Sequence, residues 1–457
     1  MKTGRVRRIL LRAAVAIGVM MWLPGSLLPV SAGNATAYTY TISQDEEWMV
    51  TQDAYLVSRV LMREHAMTSP RDLFVKENRL YLADTGASRV LIYQLDTGDC
   101  REIGGETLSS PVGLFVDQNN ELYVADNGLG AVVKFSPEGE VLHRYDRPDS
   151  AAFGTETTYS PSKVAVNSSG TLYVVSDGSY DGMIQLDQNG EFLGYFGYNN
   201  NPITAWEYLQ DLLFTDEMKA QLFSRVPYSF GNVDIDTKGI LYSVTQSAEG
   251  NAIKKHDVAG LNLLTPNMED EQDFVDVCIG TDGQIYAVTA TGLIFEYDMD
   301  GHLLFTFGGR AIAVEQNGVF ATASAIASDS QGRLYVLDGE RGLVHVMAPS
   351  NYAKAVHTAM REYSLGHYAV SYELWNDIIS IGGASYFATN NMAQCLFQEK
   401  QYDEAAALYR ASGDREGYSQ SFWHIRNQWL SKALPYLLLG LAVAAAAVMV
   451  CRRLLRR

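Results

Sequence analysis

The chain has 457 residues, 47% of them hydrophobic and 19% charged, so it can bury several cores and is neither disordered nor a small disulfide-framed domain. It carries 35 basic and 53 acidic residues, and nine of the bases lie in the first twelve and the last six residues. The segment between those ends therefore has 26 bases against 53 acids, a net charge of −27. Such a surface repels phosphate backbones, which excludes nucleic-acid partners.

The N-terminal segment has the pattern of a secretory signal peptide. Residues 1–37 contain no acid, and a basic start is followed by the apolar run Ala13 to Leu23 and then by small residues ending at Ala37. That run is too short to span a bilayer comfortably. We expect residues 1–37 to be cleaved after Ala37, with Ala32 as the alternative, and the mature chain to lie outside the cytoplasm.

Six segments between residues 69 and 338 then repeat one layout. Each has an apolar strand, a polar turn containing Gly or Asn, and a Leu-Tyr or Ile-Tyr pair that opens a second strand; SPRDLFVKENRLYLAD from Ser69 is an example. The tyrosines that mark the copies are Tyr81, Tyr123, Tyr173, Tyr242, Tyr286 and Tyr335. Their separations of 42 to 69 residues suit one four-stranded propeller blade each. The sequence therefore predicts a mainly β protein with a six-bladed β-propeller over residues 38–350.

Two further features of this segment concern its edges. The sixth copy ends near Met347 without an outer strand, and the apolar stretch Tyr55 to Met62 is expected to supply it and close the ring. The longest separation leaves room for an insertion, and residues 198–226 have the apolar spacing of one or two short amphipathic helices. These helices either cover a blade edge or bind a partner.

The first two copies carry the pattern P-x-x-hydrophobic, then Gly or Asn, then Leu-Tyr with two small or branched residues and Asp. This pattern resembles the NHL-repeat family of propellers over about residues 55–348. The resemblance implies the six-bladed fold. It leaves function open, because such propellers are protein-binding, ligand-binding and catalytic scaffolds alike.

Residues 351–432 read as helices. The pair His367-Tyr368 is matched 34 residues later by Gln401-Tyr402, and Ala359 and Ala393 occupy matching places. The spacing resembles the TPR repeat, whose period is 34 residues. We expect a TPR-like stalk over residues 351–432, and a peptide-binding groove is the alternative to a purely structural role.

The C-terminal end predicts a membrane anchor. The run Ala433 to Cys451 has 19 residues without a charge, about 28 Å long as a helix, and the basic tail 452–457 follows it. We predict a transmembrane helix over residues 433–451 and a cytoplasmic tail over residues 452–457. Because basic residues stay on the cytoplasmic side, the protein is expected in the cell membrane, single-pass, with its bulk outside.

No recognised catalytic motif is present in the sequence; H-E-x-x-H and G-x-S-x-G, for example, do not occur. Aligning the copies on their Leu-Tyr or Ile-Tyr pair places Asp72, Lys163, Asn232 and Asp276 at equivalent positions on the innermost strands. We predict that these four residues form a ligand-binding site at one mouth of the central channel, with no catalytic or metal-ligating residue assigned. No cofactor is expected, apart from calcium as a candidate, since two carboxylates and an amide supply oxygen ligands. The alternative is an internal ion pair of Lys163 with Asp72 or Asp276 in a hydrated channel.

These expectations lead to two functions. The first is a membrane-anchored extracytoplasmic binding or assembly module, not an enzyme, that recognises a protein partner or an envelope ligand through its propeller and TPR-like helices, as an accessory to a transport system. The second is a metal-dependent hydrolase or lyase that uses the channel mouth. The six-bladed ring is similar to that of calcium-dependent lactonases, which hold their metal at the axis with a Glu, an Asn and an Asp. Here no Glu matches, and Lys163 lies at the same level.

Overall fold

The computed structural model describes residues 38–42, 47–154, 157–197, 228–245, 252–264, 274–311, 315–382 and 385–455. The predicted signal peptide, residues 1–37, and the predicted helical insertion, residues 198–226, lie outside these ranges. The described residues form a six-bladed β-propeller followed by five helices, so the predicted fold class is confirmed.

The strands are numbered in chain order. They are β1 (Thr39–Ile42), β2 (Trp48–Thr51), β3 (Tyr55–Leu61), β4 (Pro70–Lys76), β5 (Arg79–Asp84), β6 (Arg89–Gln94), β7 (Cys100–Ile103), β8 (Pro111–Val116), β9 (Leu122–Asp126), β10 (Ala131–Phe135), β11 (Val141–Tyr145), β12 (Pro161–Val166), β13 (Leu172–Ser176), β14 (Met183–Leu186), β15 (Phe192–Phe196), β16 (Asn232–Ile235), β17 (Leu241–Val244), β18 (Ile253–His256), β19 (Phe274–Ile279), β20 (Ile285–Thr289), β21 (Leu293–Tyr297), β22 (Leu303–Gly308), β23 (Ala323–Ser328), β24 (Leu334–Asp338) and β25 (Leu343–Pro349).

Each repeat of the sequence forms one antiparallel sheet. Blades 1 to 3 are β4–β7, β8–β11 and β12–β15, and blade 4 has β16–β18 among the described residues. Blade 5 is β19–β22 and blade 6 is β23–β25 with β3. The innermost strands β4, β8, β12, β16, β19 and β23 each lie beside the next, and β23 lies beside β4, so the ring is closed.

The ring is closed by a strand from the N-terminal side, as predicted. Strand β3 pairs antiparallel with β25, with Tyr55 opposite Pro349 and Leu61 opposite Val344. This pairing removes the open edge of the last blade. The hairpin β1–β2 was not predicted; it extends blade 5 by pairing Tyr40 with Thr306 of β22.

Carboxylates at strand ends hold the turns between blades. Asp84 accepts a hydrogen bond from the Thr68 backbone N–H at 2.6 Å, and Asp126 accepts from the Ser109 and Ser110 N–H groups at 2.7 and 2.9 Å. Burying these charges is tolerable because their oxygens are satisfied by backbone donors. The recurrent Asp of the repeat therefore has a structural role.

The C-terminal helices are α1 (Asn351–Ser364), α2 (Tyr368–Ser380), α3 (Ser385–Gln398), α4 (Tyr402–Ser412) and α5 (Arg415–Leu455). Each helix packs on the next one along the chain. Helices α1 and α3 begin 34 residues apart, and so do α2 and α4. This helix-pair period agrees with the spacing in the sequence, while the assignment to the TPR family stays a prediction.

Helix α1 packs against blade 5. The Ser350 side chain caps its N-terminus by accepting from the Ala353 N–H, and the Tyr352 ring lies 5.5 Å from the Phe305 ring. His357 Nε2 lies 2.5 Å from Glu296 Oε1 in a buried contact. Burial lowers the pKa of His357, but the Glu296 carboxylate outweighs it and leaves that pKa above its ordinary value. The helical segment is thus attached to the propeller.

Helix α5 contains the predicted membrane span. It runs unbroken from Arg415 to Leu455 and is long and apolar enough to cross a membrane. Its apolar window is not buried against the rest of the protein. One candidate membrane helix therefore lies at the C-terminal end of the described residues, and only Gly413 and Asp414 separate it from α4.

Candidate functional site

A cavity of about 780 Å³ opens at the axis of the ring, where the innermost strands begin. Every blade contributes one residue at equivalent positions to its lining: Arg71, Val112, Ser162, Gly231, Val275 and Ser324. We call this cavity the channel mouth.

A β-bulge explains why these residues line the channel mouth. In five blades the pairing of the innermost strand with the next one skips a single residue, as between Pro70 and Asp72 or between Pro161 and Lys163. The skipped residues are those of the lining, for example Arg71 and Ser162. A bulge leaves its extra residue unpaired and re-aims side chains, so the local backbone turns these positions toward the cavity.

The structure separates the four predicted site residues into two groups. Asn232 lines the channel mouth. All four residues are buried and follow a lining residue by one position, but Asp72, Lys163 and Asp276 do not line the cavity. The sequence alignment therefore placed all four near the axis, but one of them faces the cavity and three belong to the channel wall.

Lys163 and Asp72 form a buried ion pair across the ring. Lys163 Nζ lies 2.8 Å from Asp72 Oδ1 and 2.6 Å from Oδ2, and Asp72 Oδ2 also accepts from the Leu114 backbone N–H at 2.6 Å. Burial alone lowers the pKa of Lys163, but Asp72 and Asp276 together raise it above its ordinary value. The ammonium group is therefore charged at neutral pH. This is the internal ion pair that the sequence left as an alternative.

Asp276 is another buried carboxyl group of the channel wall. Its Oδ1 accepts from the Val277 N–H at 2.9 Å and its Oδ2 from the Ile326 N–H at 2.7 Å. Burial raises the pKa of Asp276 to about 7, although Lys163 opposes this rise. A group with such a pKa exchanges its proton in the physiological range.

Sequence reasoning missed a second level of the channel wall. Asp234 lies two residues after Asn232, and Cys278 lies two residues after Asp276. Burial raises the pKa of Asp234 to about 6, and burial also raises the pKa of the Cys278 thiol. The signal for both was available, because alternate residues of a strand face the same side.

The polar side chains near the axis also link neighbouring blades. Asp72 of blade 1 accepts from Leu114 of blade 2, and the Asn232 side-chain amide of blade 4 donates to the Val275 carbonyl of blade 5 at 3.3 Å. Asp276 of blade 5 accepts from blade 6 in the same way. The six blades are separate sheets, so their strands are not joined by a sheet hydrogen-bond ladder. Near the axis, these side chains supply hydrogen bonds between blades instead.

The calcium ion considered from the sequence would need free oxygen ligands at this level of the channel. The Lys163 ammonium group contacts both oxygens of Asp72, where a metal cation would have to bind. Both oxygens of Asp276 accept hydrogen bonds from backbone N–H groups. Within the described part of the chain, no group of three or more His, Cys, Asp or Glu side chains is placed to hold a metal. The four residues therefore do not fit a calcium ion.

The family model described as "SMP-30/Gluconolactonase/LRE-like region" matches residues 73–178, which extend from blade 1 into blade 3. The match covers 106 of 457 residues and identifies the propeller as similar to this family over those blades. No curated protein sequence matches the chain.

Several solved structures align with this chain at low sequence identity. A streptogramin B lyase is 11% identical, covers 65% of this chain and 98% of its own, and has a TM-score of 0.44. Virginiamycin B lyase from Staphylococcus aureus is 10% identical, with coverages of 64% and 99% and a TM-score of 0.44. A gluconolactonase from Xanthomonas campestris is 13% identical, with coverages of 70% and 96% and a TM-score of 0.45. At these identities and TM-scores, the alignments carry no conclusion about this chain.

Proposed function

We propose that the protein is a membrane-anchored, extracytoplasmic propeller that binds a polar small molecule at the channel mouth and acts on it as a hydrolase or lyase of the lactonase type. The observation that carries the proposal is the cavity of about 780 Å³ at the axis, which residues of all six blades line, among them the charged side chains Arg71 and Asp177. The gluconolactonase-like match over residues 73–178 favours a lactone as the substrate.

The residues of the channel mouth have distinct tasks in this proposal. Arg71 is exposed at the rim and would hold a carbonyl or carboxylate oxygen of the substrate. Asn232 would hydrogen-bond a hydroxyl group from inside the cavity. Asp177 lines the cavity, whereas Asp276 is buried behind Val275, so Asp177 would accept a proton from an attacking water or from the substrate. No step uses a metal ion, because the site does not fit one.

The experiment uses the full chain in detergent with a panel of aldonolactones and aryl esters, and it measures acid released at constant pH. We expect turnover that Arg71→Met and Asn232→Ala each reduce at least tenfold. Arg79→Met is the matched control, because Arg79 lies beyond the far end of β4, away from the cavity. Addition of EDTA is expected to leave the rate unchanged. Absence of turnover with every lactone and ester would overturn the enzymatic proposal.

A second candidate is a binding or assembly module without catalysis, an accessory to a transport system with a protein partner or an envelope ligand. One observation favours it: the oxygens of Asp72 and Asp276 are already engaged by Lys163 and by backbone N–H groups. In that case ligands of the panel raise the melting temperature without turnover, since binding to the native state stabilises it by mass action. Loss of that shift in Asn232→Ala would place the ligand at the channel mouth.

A further inference from the structure

A second cavity lies in the helical segment, between α2, α3 and α4. It has a volume of about 540 Å³, within the range of ligand sites in proteins. Its apolar walls include the rings of Tyr368 and Tyr372 from α2, with Leu396 from α3 and Leu408 from α4. We call this cavity the acidic groove.

Three glutamates line the groove, one from each part of the helical segment. Glu373 lies on α2, Glu399 follows α3, and Glu404 lies in the first turn of α4. The residues that line the cavity include no lysine, arginine or histidine. Residues 351–432 as a whole contain eight acids and seven bases, so they are nearly neutral. The negative charge of the groove therefore results from the arrangement of these helices and not from their composition.

The three carboxylates are not neutralised by the protein. All three residues are exposed, and in the part of the chain that the structure describes none of them forms an ion pair. Glu399 accepts one neutral hydrogen bond, from the Gln401 side-chain amide at 3.0 Å. Carboxylates that surround an apolar cavity with no basic residue in its lining favour a ligand that is both cationic and partly apolar.

We infer that the acidic groove binds a basic peptide segment of a partner protein, one in which Lys or Arg alternates with apolar residues. The aliphatic stems of its basic side chains would lie on the tyrosine rings, and their charged ends would reach the glutamates. Carboxylates on successive helices match several charges along a chain better than they match a single small amine. The inference goes beyond the proposed function, because the groove and the channel mouth share no residue.

The test measures fluorescence anisotropy of a dye-labelled, blocked Lys-Leu-Lys-Leu-Lys peptide with the full chain in detergent. We expect saturable binding that weakens as salt is raised from 50 to 300 mM, since salt screens exposed charges. A Glu-Leu-Glu-Leu-Glu peptide of the same length is expected not to bind. Equal binding of the two peptides would overturn the inference.

Variants then locate the binding. The double variant Glu373→Gln, Glu404→Gln should weaken binding of the basic peptide about tenfold, whereas Asp377→Asn, on α2 but outside the groove, should leave it unchanged. Ala407→Trp keeps every charge but fills the groove, and it should also abolish binding. Unchanged melting temperatures confirm that each variant is folded. Equal weakening by Asp377→Asn, or normal binding by Ala407→Trp, would assign the effect to general surface charge and refute the groove.

The turnover assay at the channel mouth uses different residues and a different probe. Failure of peptide binding with normal turnover would therefore overturn this inference alone, and failure of turnover with normal peptide binding would overturn the proposed enzyme alone.

Discussion

The channel wall and the acidic groove each collect three carboxylates, but they use them in opposite ways. In the channel wall, Asp72 and Asp276 are buried and accept hydrogen bonds from backbone N–H groups of a neighbouring blade. In the groove, the glutamates are exposed around an apolar cavity whose lining contains no basic residue, and they form no ion pair among the described residues. Acidic residues near a cavity are therefore not a sufficient sign of a ligand site; what matters is whether their oxygens are already satisfied.

The physical reason is the cost of burying charge. A carboxylate withdrawn from water loses several kcal/mol of hydration unless donors replace the water, so a buried Asp persists only where the fold supplies those donors. An exposed Glu keeps its hydration and remains available to a partner. The two regions can be compared directly by removing charges from each.

The largest effect is expected for Lys163→Met. It removes the ammonium group that balances Asp72 and leaves an uncompensated carboxylate in the wall, which should cost about 3–5 kcal/mol of unfolding free energy. The measurement is a urea titration of the full chain in detergent, followed by tryptophan fluorescence.

Lys134→Met is the matched control, because Lys134 Nζ is also 2.6 Å from its partner, Glu121, but both side chains are about one-fifth exposed. This surface pair should contribute no more than about 1 kcal/mol. Similar losses in the two variants would show that burial of the channel pair carries no special weight.

Gly113→Ala should have the next largest effect. Gly113 is the residue of blade 2 that is equivalent to Asp72 and Lys163. A Cβ atom there would collide with the Ser162 backbone carbonyl and lie 2.8 Å from the Lys163 Cα. Because the clash is with backbone, blades 2 and 3 would have to separate, at a cost of about 1–3 kcal/mol. Thermal unfolding measures this loss. Ser162→Gly should not rescue it, and a rescue would contradict the backbone contact.

Asp276→Asn should change how stability depends on pH. Burial raises the pKa of Asp276 from 3.8 to about 7, so between those values the folded state binds a proton that the unfolded state releases. This group therefore stabilises the fold below about pH 4, and its contribution is lost as the pH rises through 7. Melting temperatures from pH 4 to 8 should show the wild type losing an advantage over the variant in that window. A constant difference across it would exclude the raised pKa.

The smallest effect is expected in the groove. Glu373→Gln and Glu404→Gln remove exposed charges without ion-pair partners in the described structure, so each should change the unfolding free energy by less than about 0.5 kcal/mol. Urea titration checks this. A loss as large as that of Lys163→Met would mean that the glutamates support the fold and are not free for a partner.

Much of the fold could be predicted from local sequence. The Leu-Tyr and Ile-Tyr pairs marked the second strand of each blade. Tyr81, Tyr242, Tyr286 and Tyr335 are buried, as their place in the repeat requires. The missing outer strand of blade 6 was also predictable, because a sheet edge without a partner is unfavourable. The hairpin β1–β2 was not, since two four-residue strands carry too short a pattern to separate them from a loop.

The candidate site was only partly predictable. Strand periodicity brought Asp72, Lys163, Asn232 and Asp276 to one level near the axis, but it could not show that a bulge would turn the preceding residues, such as Arg71, toward the cavity. The acidic groove left no local signal, because Glu373, Glu399 and Glu404 are 26 and 5 residues apart in a segment of nearly neutral charge.

By itself, then, the sequence determined the number of blades, the strand that closes the ring, the helical character of residues 351–432 and the apolar C-terminal run. These follow from periodicity and composition, which act over a few residues. The tertiary structure decided that Lys163 pairs with Asp72, that Asn232 faces the channel mouth, and that α1 packs on blade 5 through His357. Those outcomes depend on distances between residues far apart in the chain, which are fixed only when all six blades and the helices pack together.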